Sequence, residues 1–192
     1  MILSAKKRNR KILITDIAIE KVPDMCYRGL SAAENEMLHE FAEGVLWTAK
    51  NRNHSNEVAF TCALDFEDPA TEIGIAYGDE HEVDICADTQ SYHLIVSAAR
   101  CVVIHNHPST QTLSIEDIRF FLHYASIYMM VVVTNQGTIH YICKDEGYSY
   151  EEAKALFDDC LEGLTIHSSA EDFYLAGLEF LSECSTVGLF YS

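Results

Sequence analysis

The chain has 192 residues, 48% of them hydrophobic, enough for one well-cored domain with additions, and its formal net charge is −17. Five of the thirteen basic residues (Lys6, Lys7, Arg8, Arg10 and Lys11) cluster near the start, leaving eight bases against thirty acids, or −22, for the rest. A body that acidic repels phosphate backbones, which argues against nucleic acid as a direct substrate.

The basic start reads as a solvated arm. After it, Ile12 to Ile19 alternate loosely and predict a strand, and Asp16 interrupts the apolar run too early for a signal peptide. Pro23 and Gly29 mark loop. Ser31-Ala32-Ala33-Glu34 is a capping box, and Met37, Leu38, Phe41, Val45, Leu46 and Ala49 then recur at helical spacing up to Asn51. Glu57 to Leu64 reads as a strand with a bulky face (Val58, Phe60, Cys62, Leu64) and a small face (Glu57, Ala59, Thr61, Ala63). An acid at the start of a strand, over small side chains, leaves room for a substrate, although a solvated strand-end glutamate has the same appearance. Thr71 to Tyr77 alternates as a second strand paired with the first. Gly78 to Asp84 is an acidic loop with His81 among carboxylates, a pattern that suits solvent better than a metal. Asp88 caps a helix that runs through Tyr92 and Ile95 to Ala99.

The next stretch carries the chemistry. Cys101-Val102-Val103-Ile104 is a buried strand that runs into His105-Asn106-His107 and stops at Pro108. Residues two apart on a strand share a side, so the imidazoles of His105 and His107 converge, while Asn106 faces the other way and braces the loop. Ser114-Ile115-Glu116-Asp117 opens a helix reaching Ala125, with Ser114 in the N-cap position and Asp117 in the first turn. Asp117 there is either an ordinary capping acid or the third ligand of a site. Two imidazoles and a carboxylate suit a zinc-like divalent ion and leave a fourth position for water, as catalytic rather than structural sites do. His123 falls on another helical face. Tyr128 to Val133 is a buried strand, Asn135-Gln136-Gly137 a turn, and Thr138 to Cys143 its hairpin partner, with His140 in a structural place. From Tyr150 the chain turns helical: Ala153, Leu156, Phe157, Cys160 and Leu161 form one stripe, and Phe173, Leu175, Leu178, Phe180 and Leu181 another. Such stripes complete a core more often than they bind a partner.

Seven widely spaced cysteines without a Cys-x-x-Cys read as reduced core thiols of a cytoplasmic protein, not a cysteine zinc cluster. No apolar run approaches the roughly 18 residues of a membrane span. These patterns alone imply an α/β or α+β domain.

His105-Asn106-His107-Pro108-Ser109 with Ser114-Ile115-Glu116-Asp117 resembles the signature of the JAB/MPN (JAMM) zinc metallopeptidases, and is most similar to their bacterial RadC-like branch. The likeness covers roughly residues 31–144. Six residues separate His107 from Ser114, one fewer than the family pattern, and Val131-Val132-Val133-Thr134 stands where the RadC branch carries an Asp-His pair. The chain is therefore JAB-like rather than a RadC protein. The resemblance implies a mixed β-sheet flanked by helices over 31–145, between an N-terminal segment (1–30) and extra C-terminal helices (146–192). It further implies one zinc ion on His105, His107 and Asp117, with Glu57 as general base (Glu72 and Glu82 as fallbacks) and Ser114 as oxyanion donor. The implied activity is hydrolysis of an amide bond in a peptide or protein conjugate, ubiquitin-like tails included. A non-catalytic scaffold is the alternative, and a DNA-processing accessory the third reading. Homo-oligomerisation stays open.

Overall fold

The structure, a computed structural model, describes residues 11–66 and 72–192. Of the basic arm, Lys6, Lys7, Arg8 and Arg10 lie outside the described residues, as does Thr71 of the expected second strand.

The centre is a six-stranded mixed sheet in the order β2-β1-β3-β4-β5-β6, formed by β1 (Val58–Ala63), β2 (Gly74–Tyr77), β3 (Cys101–His107), β4 (Ile127–Thr134), β5 (Ile139–Lys144) and β6 (Leu189–Tyr191). Only β3 and β4 run parallel. A parallel pair needs a crossover, and α4 (Ile115–His123) supplies it.

Helices cover both faces, because the buried strands are apolar on both sides. On one face α2 (Ala32–Arg52), closed by the Ser31/Glu34 capping box, lays Leu38, Phe41, Val45 and Leu46 on Val58, Phe60, Cys62, Val102 and Ile104. On the other, α3 (Thr89–Ser97), α4, α5 (Tyr150–Cys160) and α6 (Ala170–Glu183) cover Ala59, Ala63, Val103, Met130 and Val132. The bulky and small sides of β1 thus face different cores, as their alternation requires.

Two expectations need correction. Residues 11–15 are extended but join no sheet, and α1 (Asp16–Glu20) follows, because the Thr15 hydroxyl accepts from Ala18 N at 3.1 Å and starts a helix inside the expected strand. The C-terminal segment is not wholly helical: Gly188 (φ 71°) turns the chain into β6, which closes the sheet edge beside β5. At the β4–β5 turn, Gly137 (φ 85°) lies where a Cβ would come within 2.3 Å of Ala18 O, so α1 docks on a position that only glycine fits.

The C-terminal helices belong to the core. Phe180 is fully buried, edge-on to Phe157 with ring centroids 5.4 Å apart. Phe180→Ala is expected to lower unfolding free energy by about 3–5 kcal/mol in urea titrations. Leu175→Ala, at a position 55% exposed, is expected to cost less than about 0.5 kcal/mol. Equal small losses would place α6 outside the core.

Candidate metal centre

Ligand sites of open α/β sheets lie beyond the carboxyl ends of strands, and here the end of β3 meets the start of α4. His105 Nε2 lies 3.1 Å from His107 Nε2 and 3.1 Å from Asp117 Oδ1, and His107 Nε2 lies 3.3 Å from Asp117 Oδ2. The three expected ligands therefore converge, and they form the cluster of metal-ligating type among the described residues.

Their spacing fits a small cation. Zinc about 2.0–2.1 Å from donors at tetrahedral angles sets those donors about 3.3 Å apart. The protonation pattern fits as well. His107 Nδ1 donates to Gln111 O at 3.2 Å, which in a neutral ring leaves the lone pair on Nε2, aimed at the other two groups. His105 Nδ1 is buried without a partner. Burial alone would lower the His107 pKa, yet Asp117's hydrogen bond and charge, with help from Glu57, raise it to about 9. Burial likewise opposes the Asp117 charge, but the two imidazoles outweigh it and hold the carboxyl well below the ordinary range. The pocket thus has a negative potential that a cation satisfies.

Asp117 is held from its helix. Ser114 N and Ser114 Oγ each donate to Asp117 Oδ2 at 2.7 Å, and Asp117 N donates back to Ser114 Oγ at 3.1 Å. The Ser114 hydroxyl is therefore directed at Asp117, not at the groove.

The strand register places Glu57. Antiparallel pairing sets Ala59 against His105, so two residues further along Glu57 faces His107 on the same side of the sheet. Glu57 N donates to Asp79 O and Gly78 N to Glu57 O, which fixes its backbone. Its side chain has no hydrogen-bond partner among the described residues. Burial pushes its pKa up, partly offset by the charges of His107 and His105. Of the fallback acids, Glu82 lines the same groove, whereas Glu72 is exposed outside it. His81 lies 3.2 Å from Glu80 on the exposed loop, and His123 is exposed.

Asn106 stands inside the motif, but the partners of its side chain lie outside it. Asn106 does brace the loop: its Oδ1 accepts from Val58 N at 2.8 Å, and its Nδ2 donates to Asn56 O at 3.1 Å and Asn135 Oδ1 at 2.8 Å. Asn135, expected as a turn residue, donates in turn to Ile12 O and Ser55 O. On the other side Thr112 Oγ1 and Tyr191 OH share a hydrogen bond of 2.9 Å, which ties β6 to the residue after Gln111.

A groove of about 750 Å³ opens over the cluster. Glu57, His107 and Asp117 form its floor, the Glu80–Ile85 loop one wall, and Phe120 with Phe173 and Tyr174 of α6 the other.

Comparison with family models, with curated proteins and with solved structures returned no match for this chain. The centre therefore stands on its own geometry.

Asn106→Ala would leave three polar groups, two of them buried, without this partner on the side of the sheet opposite the imidazoles. It is expected to lower unfolding free energy by about 2–4 kcal/mol in urea titrations; a loss under about 1 kcal/mol would mean that water replaces the side chain.

Proposed function

We propose that the chain is a zinc-dependent hydrolase of the metallopeptidase type that cleaves an amide bond. The observation that carries this reading is the convergence of His105, His107 and Asp117 within 4.8 Å of one another beside the buried carboxylate of Glu57, at the floor of an open groove. His105, His107 and Asp117 would hold a divalent ion, which would supply Lewis acidity toward a water and a carbonyl. The rest is done by the chain. Glu57, 6% exposed and made more basic by burial, accepts the proton of the attacking water and passes it to the leaving amine. Ser114 orients Asp117, and its hydroxyl reaches an oxyanion only by turning away from that carboxylate. The apolar wall and the loop hold the substrate backbone and exclude part of the solvent.

The substrate is a peptide or protein conjugate, ubiquitin-like tails among the candidates, in keeping with the motif's likeness to JAB/MPN metallopeptidases. Among the described residues no helix is long and apolar enough to cross a membrane, and all seven cysteines are free thiols, which supports a cytoplasmic setting. The scaffold reading keeps one observation: a proton on His107, with its pKa at about 9, also pairs with Asp117. The DNA-processing reading is disfavoured by an acidic groove.

Protein purified with added zinc is expected to hold one ion per chain by mass spectrometry, and His107→Ala with Asp117→Ala to hold none. Glu57→Gln is expected to keep the ion while lowering turnover of a peptide and ubiquitin-like conjugate panel by about 10²–10⁴-fold. A wild type that stays empty makes the chain a scaffold. Tyr191→Phe, which frees Thr112 beside the Gln111 anchor of His107, is expected to weaken zinc binding about tenfold in chelator competition at unchanged fold; unaltered affinity would make that hydrogen bond purely structural.

A further inference from the structure

The proposed hydrolase leaves the character of its substrate open, and the groove's chemistry narrows it. Besides Glu57 and Asp117 on the floor, Glu80, Glu82, Asp84 and Glu116 line the groove, and all four are exposed to solvent. Besides His107 on the floor, two described lining residues carry basic side chains: Lys11 Nζ donates to Asn56 Oδ1, and His81 faces Glu80 at 3.2 Å. A divalent ion on the ligands would offset the floor charges and leave four rim carboxylates facing the single lysine charge of Lys11, so the rim stays net negative. The rim has a fixed shape, since Asp79 Oδ1 accepts from His81 N at 2.7 Å and from Glu82 N at 3.1 Å and holds the loop over the floor. A cleft lined by one sign of charge on low-dielectric walls concentrates the opposite charge and speeds its arrival.

A second observation points to a ligand independently of the rim. Glu57 is 94% buried by its 6% exposure, lines the groove, and has no hydrogen-bond partner among the described residues. The facing wall is apolar: Phe120, Phe173 and Tyr174 are partly exposed and line the groove, and Phe120 and Phe173 also pack against the core.

We propose that the groove receives a basic peptide segment in which lysine or arginine flanks an apolar or aromatic residue. The cationic groups lie against Glu80, Glu82, Asp84 and Glu116, and the apolar side chain lies against Phe120, Phe173 and Tyr174. Acidic tails and phosphate backbones are repelled by the same rim. A bare polyamine satisfies the rim and leaves the aromatic wall uncovered, so the two walls together select a peptide. The proposal rests on the hydrolase reading for where the scissile bond sits, and on the groove alone for binding.

The test is fluorescence anisotropy at 25 °C and physiological salt, with zinc-loaded Glu57→Gln protein to keep the ligand intact. The probes are labelled Gly-Lys-Phe-Lys-Gly and Gly-Glu-Phe-Glu-Gly. The lysine peptide is expected to bind at least tenfold tighter, and to weaken at least tenfold on Glu82→Lys with Glu116→Lys. Glu36→Lys with Glu40→Lys, the same charge change on exposed positions of α2 across the sheet, is expected to leave binding within twofold. Equal affinity for the two peptides, no binding of either, or an equal loss on the α2 reversal overturns the proposal. Spermine competing as well as the lysine peptide also overturns it, since the aromatic wall would then play no part. Zinc content is read separately: peptide selectivity in a protein that holds no zinc removes the hydrolase and keeps the groove, and zinc with no selectivity does the reverse.

Discussion

The antiparallel register of β1 on β3 is the constraint on which the site depends. Side chains alternate with a period of two, so a slip of one residue would send Glu57 to the α2 face and leave the imidazoles without their neighbour. Two devices hold the register. Val58, Phe60 and Cys62 fill one core and Ala59 and Ala63 the other, and exchanging them would force bulky side chains into the space where the small ones fit. Asn106, fully buried between the two histidines in sequence but opposite to them in space, accepts from Val58 N and fixes the pairing at its functional end. A buried amide left unpaired by a slip is costly, so the polar residue specifies what the apolar ones stabilise.

The two readings of Ser114 and Asp117, helix cap and metal ligand, prove to be the same structure. Oδ2 of Asp117 takes the capping bonds from Ser114, and Oδ1 faces His105. The cap thereby orients the carboxylate, and the positive end of α4 adds to the imidazoles in holding it ionised. A carboxylate kept charged below the ordinary range, opposite a histidine whose proton affinity it raises, is a small charged pocket inside a sheet core. Such a pocket is stable only with a positive charge in it. A proton supplies one unit, and a divalent ion supplies two along with a shape that matches the donor spacing.

Local signals made most of the fold legible. The Ser31 and Ser114 capping boxes, the run of α2, the two faces of β1 and the β4–β5 hairpin all follow from residues close in sequence. The convergence of His105, His107 and Asp117 was legible for the same reason, since a strand end, a proline and a helix start lie on one short stretch. What the sequence did not disclose is non-local. Ile12 to Ile19 alternates like a strand, but Thr15 caps a helix there, and the extended part is held by Pro108 O and Ser55 Oγ rather than by a neighbouring strand. Asn135 reads as a turn residue, and nothing near it in sequence announces its bonds to residues 12, 55 and 106. The bond between Thr112 and Tyr191 spans 79 positions. No periodicity encodes such a contact; only the closing of the sheet by β6 creates it.

The C-terminal segment shows why core and site cannot be assigned to separate stretches of this chain. One side of α6 supplies Ala176, Gly177, Phe180 and Leu181 to the core, while Phe173 and Tyr174, nearer its start, wall the groove. The strand that follows carries Tyr191 to Thr112, beside the Gln111 carbonyl that accepts from His107 Nδ1. The same apolar stripe that stabilises the domain therefore gives the ligand-bearing floor a second wall. The opposite wall, the acidic loop, gives the core Ile85, with Val83 packed beside it, and turns its carboxylates to solvent. The ligand-type cluster on the floor and the carboxylates at the rim are consequently different residues, so charge changes on Glu82 or Glu116 leave the convergence of His105, His107 and Asp117 undisturbed.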